Sequence, residues 1–407
     1  MAGETAPQDA RPFDVVVVGG GPAGSAAARR AAALGLRTAL IDRADFPRDK
    51  LCGGLVTGRS RTALARIFDL RVEAEPTLFL PSRTIRFMAG GTTLRRMDDA
   101  PAMWLTMRRA FDARLVELAR QAGAEVLTNA AVTEVRPDDR AIVLRDGRCL
   151  RYRVLIGADG VNSTVARALF GRAFDPATIG FGLEAELSLP AGTAPETLPT
   201  QEVVLDLDAA DWGYGWIFPK AHGVTLGVGG LHAHNPDMRD RMLAQLSLRD
   251  PAGDPAARTI KGAYLPFGDF RKLPGRGCVL LAGDAAGLVD PITGEGIAHA
   301  LDSGSLAAEA AAAALSGTRP DPDRALVLYR RSLRPLQSEL RQSRFWRRMI
   351  FSRAMRPVFK ASIARGSSMP ARFLALLAGE LDYGDLRRDL ILRTPRSLLR
   401  AVMARGR

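Results

Sequence analysis

The run Phe13–Val18 is dominated by β-branched apolar residues, the pattern of a strand covered on both faces in a parallel sheet. An Ala-rich segment then predicts a helix through Ala33, and "RTALIDR" predicts a second strand ending at Asp42. Apolar strand-like runs return in "VLIGADG" and "CVLLAGD" near the other end of the main body. Between them, "LEAELSL", "EVVLDL", "YGWIFP" and "VTLGVGG" read as strands without helical crossovers, which predicts an antiparallel sheet. Alanines over 306–315 continue a helix, and "SGTRPDPD" marks a linker after it.

The expected fold class is therefore α/β. A doubly wound, Rossmann-like domain comes from non-contiguous segments, joined by an antiparallel β-sheet substrate domain and a C-terminal helical region. The boundaries read as 12–47, 101–175 and 272–320 for the nucleotide-binding domain. Residues 48–100 and 176–271 form the substrate or cap domain, and 321–407 the basic helical region. At 407 residues the chain has room for these parts, and its 47% apolar and 25% charged content is that of an ordinary globular protein. Cys52, Cys149 and Cys278 are too scattered for a disulfide framework or a zinc cluster, so no metal is expected and a reducing cytoplasm fits. The first twelve residues lack the apolar core of a secretory signal. No apolar run approaches the roughly 18 residues of a spanning helix.

Charge changes the picture at one end. Residues 1–320 balance their acidic and basic groups, so the entire net +13 belongs to 321–407. There "RFWRRMIFSRAM", "ARFLALLAGEL" and "LRRDLILRTPRSLLRAVMARGR" mix bulky apolar with basic side chains. Such helices either lie on an anionic membrane surface or pack as a solvated extension of the body. No nucleic-acid recognition motif accompanies the charge, so a nucleic-acid partner is not expected.

Gly19-x-Gly21-x-x-Gly24 directly follows the first strand and opens the Ala-rich helix through Pro22 and Ala23. In that context Gly19 permits a tight turn, Gly21 admits a pyrophosphate to the backbone, and Gly24 allows close helix–strand packing. The helix N-terminus favours the phosphate charge. Asp42, with Arg43 beside it, ends the second strand where a ribose hydroxyl would be bound.

With this element, "VLIGADGVNSTVARAL" and "VLLAGDAAGLVDPITGEGIAHAL" in order, the chain resembles the FAD-dependent oxidoreductases of the glutathione-reductase-like superfamily, in the hydroxylase-type branch. The resemblance implies FAD as cofactor. It implies that Arg108 reaches the FAD phosphates and that backbone groups at Val132 hold the adenine. Asp159 and Gly160 match the branch's mid-chain Asp-Gly signature. Gly283 and Asp284 end a strand where a carboxylate accepts from the ribityl hydroxyls. Pro291, Gly294, Glu295 and Gly296 lead into a helix beginning near Ile297, whose N-terminus would face the flavin's pyrimidine edge.

Two further motifs bear on the reaction. "FPRDKLCGG" contains Lys50, Cys52, Gly53 and Gly54, and "YGWIFPKAHGVTLGVGG" contains Tyr214, Trp216 and Phe218 with Gly227 and Gly229. Both resemble the geranylgeranyl reductase family, over roughly residues 12–350. The resemblance implies reduction of isolated C=C bonds in an isoprenoid chain carried on a lipid, diphosphate, quinone or tetrapyrrole ester. No carbonyl polarises such an alkene, so a proton source must accompany hydride delivery as positive charge builds on carbon. A dry aromatic pocket would solvate the chain and stabilise that charge. Tyr214, Trp216 and Phe218 alternate along a strand and so share one face; the same spacing also serves a plain core. Cys52 is the candidate catalytic residue, although a thiol is a modest acid toward an alkene and a buried cysteine commonly serves as a small hydrophobe. The alternative is a flavin-dependent monooxygenase or halogenase. Tryptophan-type halogenases carry Gly-Trp-x-Trp-x-Ile-Pro, from which Gly213-Tyr214-Gly215-Trp216-Ile217-Phe218-Pro219 departs at two positions. The external reductant is left open between NADPH and ferredoxin, the latter a partner the basic tail can attract.

Overall fold

The computed structural model describes residues 11–188, 202–221, 223–249, 258–267, 270–366 and 368–393. Residues 1–10 of the N-terminal stretch read for a signal and the end of the basic tail, 394–407, lie outside them. Five parallel strands form the spine of the first sheet, in the order Val279–Leu281, Cys149–Gly157, Phe13–Val18, Thr38–Ile41 and Glu125–Leu127. Val15, Val16 and Val17 at its centre are fully buried, which is why the sequence there is apolar on both faces.

Helix Pro22–Ala33 covers this sheet together with Ile297–Leu315. Their small faces permit unusually close approach: a Cβ at Gly304 would stand 2.0 Å from the Ala23 carbonyl oxygen. The long helix Ala325–Phe351 runs beside Ile297–Leu315, and its Tyr329 hydroxyl donates to the Leu281 carbonyl at 3.0 Å.

The second sheet has the strand order Lys261–Leu265, Gly180–Ser188, Gly223–Leu231, Gly213–Lys220, Glu202–Asp206, Thr84–Ala89 and Thr92–Met97. It is antiparallel except where Glu202–Asp206 runs parallel to Thr84–Ala89. That junction joins strands far apart in the chain, so no hairpin dictates their direction. The helices Arg356–Arg365 and Ser368–Ala378 close over one face of this sheet, with Ile363, Leu374 and Leu377 packed against Phe87, Leu205 and Phe218.

Candidate functional site

A single cavity of about 650 Å³ runs from the Gly19 turn to the aromatic strand Gly213–Lys220. At its first end, Gly19 sits at φ +103°, and its N–H donates to the Ile41 carbonyl at 2.7 Å. A Cβ at Gly24 would fall 1.7 Å from the Gly19 carbonyl oxygen, so helix and turn touch backbone to backbone. Gly24 therefore stands behind the wall that Gly19, Gly21, Pro22 and Ala23 line.

The space against Gly21 fits a pyrophosphate. No side chain caps helix Pro22–Ala33, leaving its first amides for a ligand. The atoms nearest a Cβ built at Gly21 are guanidinium nitrogens of Arg48, 3.9 Å away, and Arg108, 4.0 Å away. Both cations are held by Asp112, which is wholly buried. Arg108 grips it through two bonds of 2.7 and 2.8 Å, and Arg48 lies 3.3 Å from it. The Asp112 charge, with Cys52 behind it, raises the proton affinity of the buried Arg108 despite the cost of burial.

Asp42 and Arg43 also line this end. The Asp42 carboxylate accepts from the Gly20 N–H at 2.7 Å and the Ala44 N–H at 2.9 Å, which fixes its orientation. Val132 lies beyond it, with Ala130, Ala131 and Arg145 also lining the cavity. Asp159 and Gly160 contribute to the wall. The Asp159 carboxylate is engaged within the protein, accepting from the Ser163 hydroxyl at 2.5 Å and the Thr164 N–H at 2.7 Å at the start of helix Thr164–Phe170. Burial pushes its proton affinity up against these bonds.

Midway, Asp284 faces the cavity from a short 3-10 turn, whereas Gly283 supports it from behind with its N–H on the Ser303 hydroxyl at 2.9 Å. Pro291, Gly294, Glu295, Gly296 and Ile297 line the wall. Gly296 precedes helix Ile297–Leu315 without a side-chain cap, so amide donors are again left for a ligand. Asp290 ties the loop together by accepting from the Ile292 and Thr293 amides and, at 3.0 Å, from the Tyr383 hydroxyl. Glu295 turns to the Thr57 hydroxyl. Burial raises its pKa to about 7.

At the far end, the loop holding Lys50, Cys52, Gly53 and Gly54 packs on the aromatic strand, and Tyr214, Trp216 and Phe218 line the cavity with it. A Cβ at Gly53 would meet the Phe218 ring at 2.6 Å, and one at Gly54, whose φ is +69°, would meet the Thr106 carbonyl at 2.0 Å. The Trp216 indole lies over Gly227 and Gly229, where Cβ atoms would approach it to 2.2 and 3.2 Å. The two glycines therefore make a flat floor for the ring. Phe351 and Leu377 from the C-terminal helices complete this end.

Three residues at the site escaped the sequence reading. Arg48 sits in "FPRDKLCGG", two residues before Lys50, and belongs to no spacing pattern that marks it out. Glu184 accepts from the Cys52 N–H at 3.4 Å and the Trp216 indole N–H at 3.3 Å. Lys220 donates to the Gly53 carbonyl at 2.6 Å and the Thr106 carbonyl at 2.9 Å. The available signals were a charged residue on the inward register of "LEAELSL" and a lysine directly after Phe218-Pro219.

The glycine turn, the paired guanidiniums and the two uncapped helix starts along one cavity define a dinucleotide-binding protein, and residues 14–155 match the FAD dependent oxidoreductase family model. The cofactor is FAD. Menaquinone reductase of Mycolicibacterium smegmatis is 34% identical over 73% of this chain and 75% of its own length. Geranylgeranyl diphosphate reductase of Rhodobacter capsulatus is 35% identical over 76% of this chain and 77% of its own. A solved geranylgeranyl bacteriochlorophyll reductase-like protein from Thermoplasma acidophilum shares the fold, with a TM-score of 0.74 at 21% identity over 93% of this chain and 98% of that one. The chain belongs to the geranylgeranyl reductase family of FAD-dependent oxidoreductases.

Proposed function

We propose that this enzyme saturates isolated C=C bonds of a polyprenyl chain carried on a lipid, diphosphate, quinone or tetrapyrrole ester. The observation that carries the reading is the aromatic end of the cavity, where Tyr214, Trp216 and Phe218 face the Cys52–Gly54 loop and Phe351 and Leu377 add apolar wall. Relatives named for geranylgeranyl diphosphate and menaquinone support it. Bound FAD supplies the hydride. The aromatic faces solvate an apolar chain and favour the positive charge that develops on the substituted carbon. Cys52 is the side chain offered for proton placement.

Domain roles follow the same reading. Segments 12–47, 101–175 and 272–320 carry the cofactor together with Arg48, 48–100 and 176–271 carry the substrate, and the basic helical region 321–407 adds Phe351 and Leu377 to the substrate wall. NADPH or ferredoxin reloads the site, and stopped-flow reduction by each separates them. Among the described residues no helix is long and apolar enough to cross a membrane. Phe345, Met349 and Val358 are nevertheless exposed on helices rich in arginine, which supports a peripheral position on the cytoplasmic membrane face.

The test is anaerobic. Chemically reduced holoprotein is mixed with geranylgeranyl diphosphate or menaquinone, and flavin reoxidation is followed alongside product mass. Reoxidation with a gain of two mass units per bond is expected. Unchanged polyprenyl compounds, with oxygen or halide inserted on aeration, would overturn the reading in favour of the monooxygenase or halogenase.

A further inference from the structure

Behind the Cys52–Gly54 loop lie two charged side chains with almost no access to water: Glu184 is 4% exposed and Lys220 7%. Burying either charge is costly unless its partners compensate. Here the partners belong to the loop and to the groups it rests on. Glu184 spans from the Cys52 amide to the Trp216 indole, and Lys220 from the Gly53 carbonyl to the Thr106 carbonyl. Each charge therefore holds one side of the same three-residue loop, from two strands of the second sheet. Gly54, whose N–H donates to the Cys52 sulfur at 3.3 Å, keeps the thiol folded back over this support.

We propose that Glu184 and Lys220 are positioning residues that fix the Cys52–Gly54 loop against Trp216, and that the proton carried by Glu184 sets the reactivity of the Cys52 thiol.

The surroundings make Glu184 the variable member. Burial raises its pKa to about 7, opposed by the Lys220 charge and by the bonds from Cys52 and Trp216. Burial lowers that of Lys220 to about 8, opposed by Cys52, Glu184 and Glu186. Glu186 lies on Glu184's own strand. Lys261, opposite Glu184 in register on the adjoining strand, is engaged with Glu186 and Asp49. Arg108 approaches Cys52 from the phosphate side. Near neutrality the loop thus gains or loses one negative charge at a fixed place, 3.4 Å from the Cys52 amide nitrogen. A proton stored there also stands against the backbone amide of the residue whose thiol the proposed reaction uses.

The inference rests on reading this end of the cavity as the reducing site, but its test needs no prenyl compound. In FAD-loaded protein carrying Cys149→Ser, which removes the exposed thiol, the rate of Cys52 alkylation by iodoacetamide is measured against pH. The thiolate is the reacting form, so each full charge beside it changes the rate by about tenfold or less. In the parent the rise of log rate with pH should flatten above about 7 as Glu184 ionises. In Glu184→Gln the rise should continue unbroken, and alkylation at pH 8 should run about threefold faster than in the parent. Lys220→Met should slow alkylation and Lys220→Arg should restore it, which keeps the proposal testable if the Gln variant folds poorly. A pH-dependent carboxyl band in the infrared difference spectrum, lost in Glu184→Gln, is the second readout. Superimposable profiles, or a variant uniformly faster at every pH, would overturn the proposal by leaving Glu184 a purely structural brace. Failure of prenyl turnover beside the expected alkylation profiles would instead overturn the proposed function alone.

Discussion

At the phosphate end of the cavity the wall is backbone: Gly19, Gly21 and Gly24 leave a cradle, and two arginines held by Asp112 look into it. At the aromatic end it is side chains, with Trp216 and Phe218 packed on the Cys52 loop and Glu184 and Lys220 braced behind. The cradle fails when a side chain is added at Gly19 or Gly24, where the new Cβ meets backbone that cannot step aside. A side-chain wall can be retuned, since rings move and charges can be exchanged. One cofactor can therefore be kept at the first end while substrates vary at the second.

The sharpest way to break this contrast is to add carbon at both ends. Gly24→Val should lower bound FAD per chain by about tenfold or more, since a Cβ 1.7 Å from the Gly19 carbonyl cannot be relieved without separating helix from turn. Gly53→Ala should keep its FAD and change only reaction with substrate, because its new Cβ meets side chains, the Phe218 ring at 2.6 Å and the Trp216 indole nitrogen at 3.2 Å, rather than backbone of the cradle. Flavin absorbance of the purified variants decides it, and equal FAD loss in both would erase the distinction.

Removing a charge gives the next largest effect. Arg108→Ala withdraws both close bonds from a fully buried carboxylate, leaving Asp112 to Arg48 alone. Breaking a buried pair in this way costs about 3 kcal/mol. Denaturant unfolding should show a loss of that order together with weaker FAD binding.

The glycine turn and its flanking strands were legible because they are local: the run Phe13–Val18, the spacing of Gly19, Gly21 and Gly24, and Asp42 at the next strand end all lie within thirty residues. The aromatic strand was legible for a similar reason, as alternation over five positions. Glu184 and Lys220 were not, since their meaning comes from a loop more than 130 residues earlier in the chain. Nor could local pattern show that Glu202–Asp206 would pair in parallel with Thr84–Ala89, because no turn connects them. Arg48 was hidden by its neighbours, and only the fold shows that it shares Asp112 with Arg108.

Acidity should sharpen the comparison from the other side. Glu295 ionises near 4.5 when the chain is unfolded and near 7 when folded, because burial disfavours its charge. Between those values the native state alone keeps the proton, so this stabilising contribution is complete at the acid end and disappears as pH rises through the window. Glu184 adds a change of the same sign. Stability of the holoprotein from denaturant midpoints should thus decline from about pH 5 to pH 7 through these groups, and Glu295→Gln should make the decline shallower. A variant with an unaltered slope would show that Glu295 does not carry the proton.

The smallest expected effect lies where the two ends meet. The Tyr214 hydroxyl donates to the Thr293 carbonyl, pinning the aromatic strand to the loop that leads into helix Ile297–Leu315. Tyr214→Phe keeps the ring and removes only that bond, so the cost should be about 1 kcal/mol in unfolding. Its informative readout is the separation of KM from kcat with a prenyl substrate. If the bond merely staples two elements, both parameters stay within about twofold, as a loss of this size away from the reacting atoms would allow. A large fall in kcat with FAD content intact would mean that the side-chain wall sets the placement of the flavin loop, and that the two ends are less independent than their construction implies.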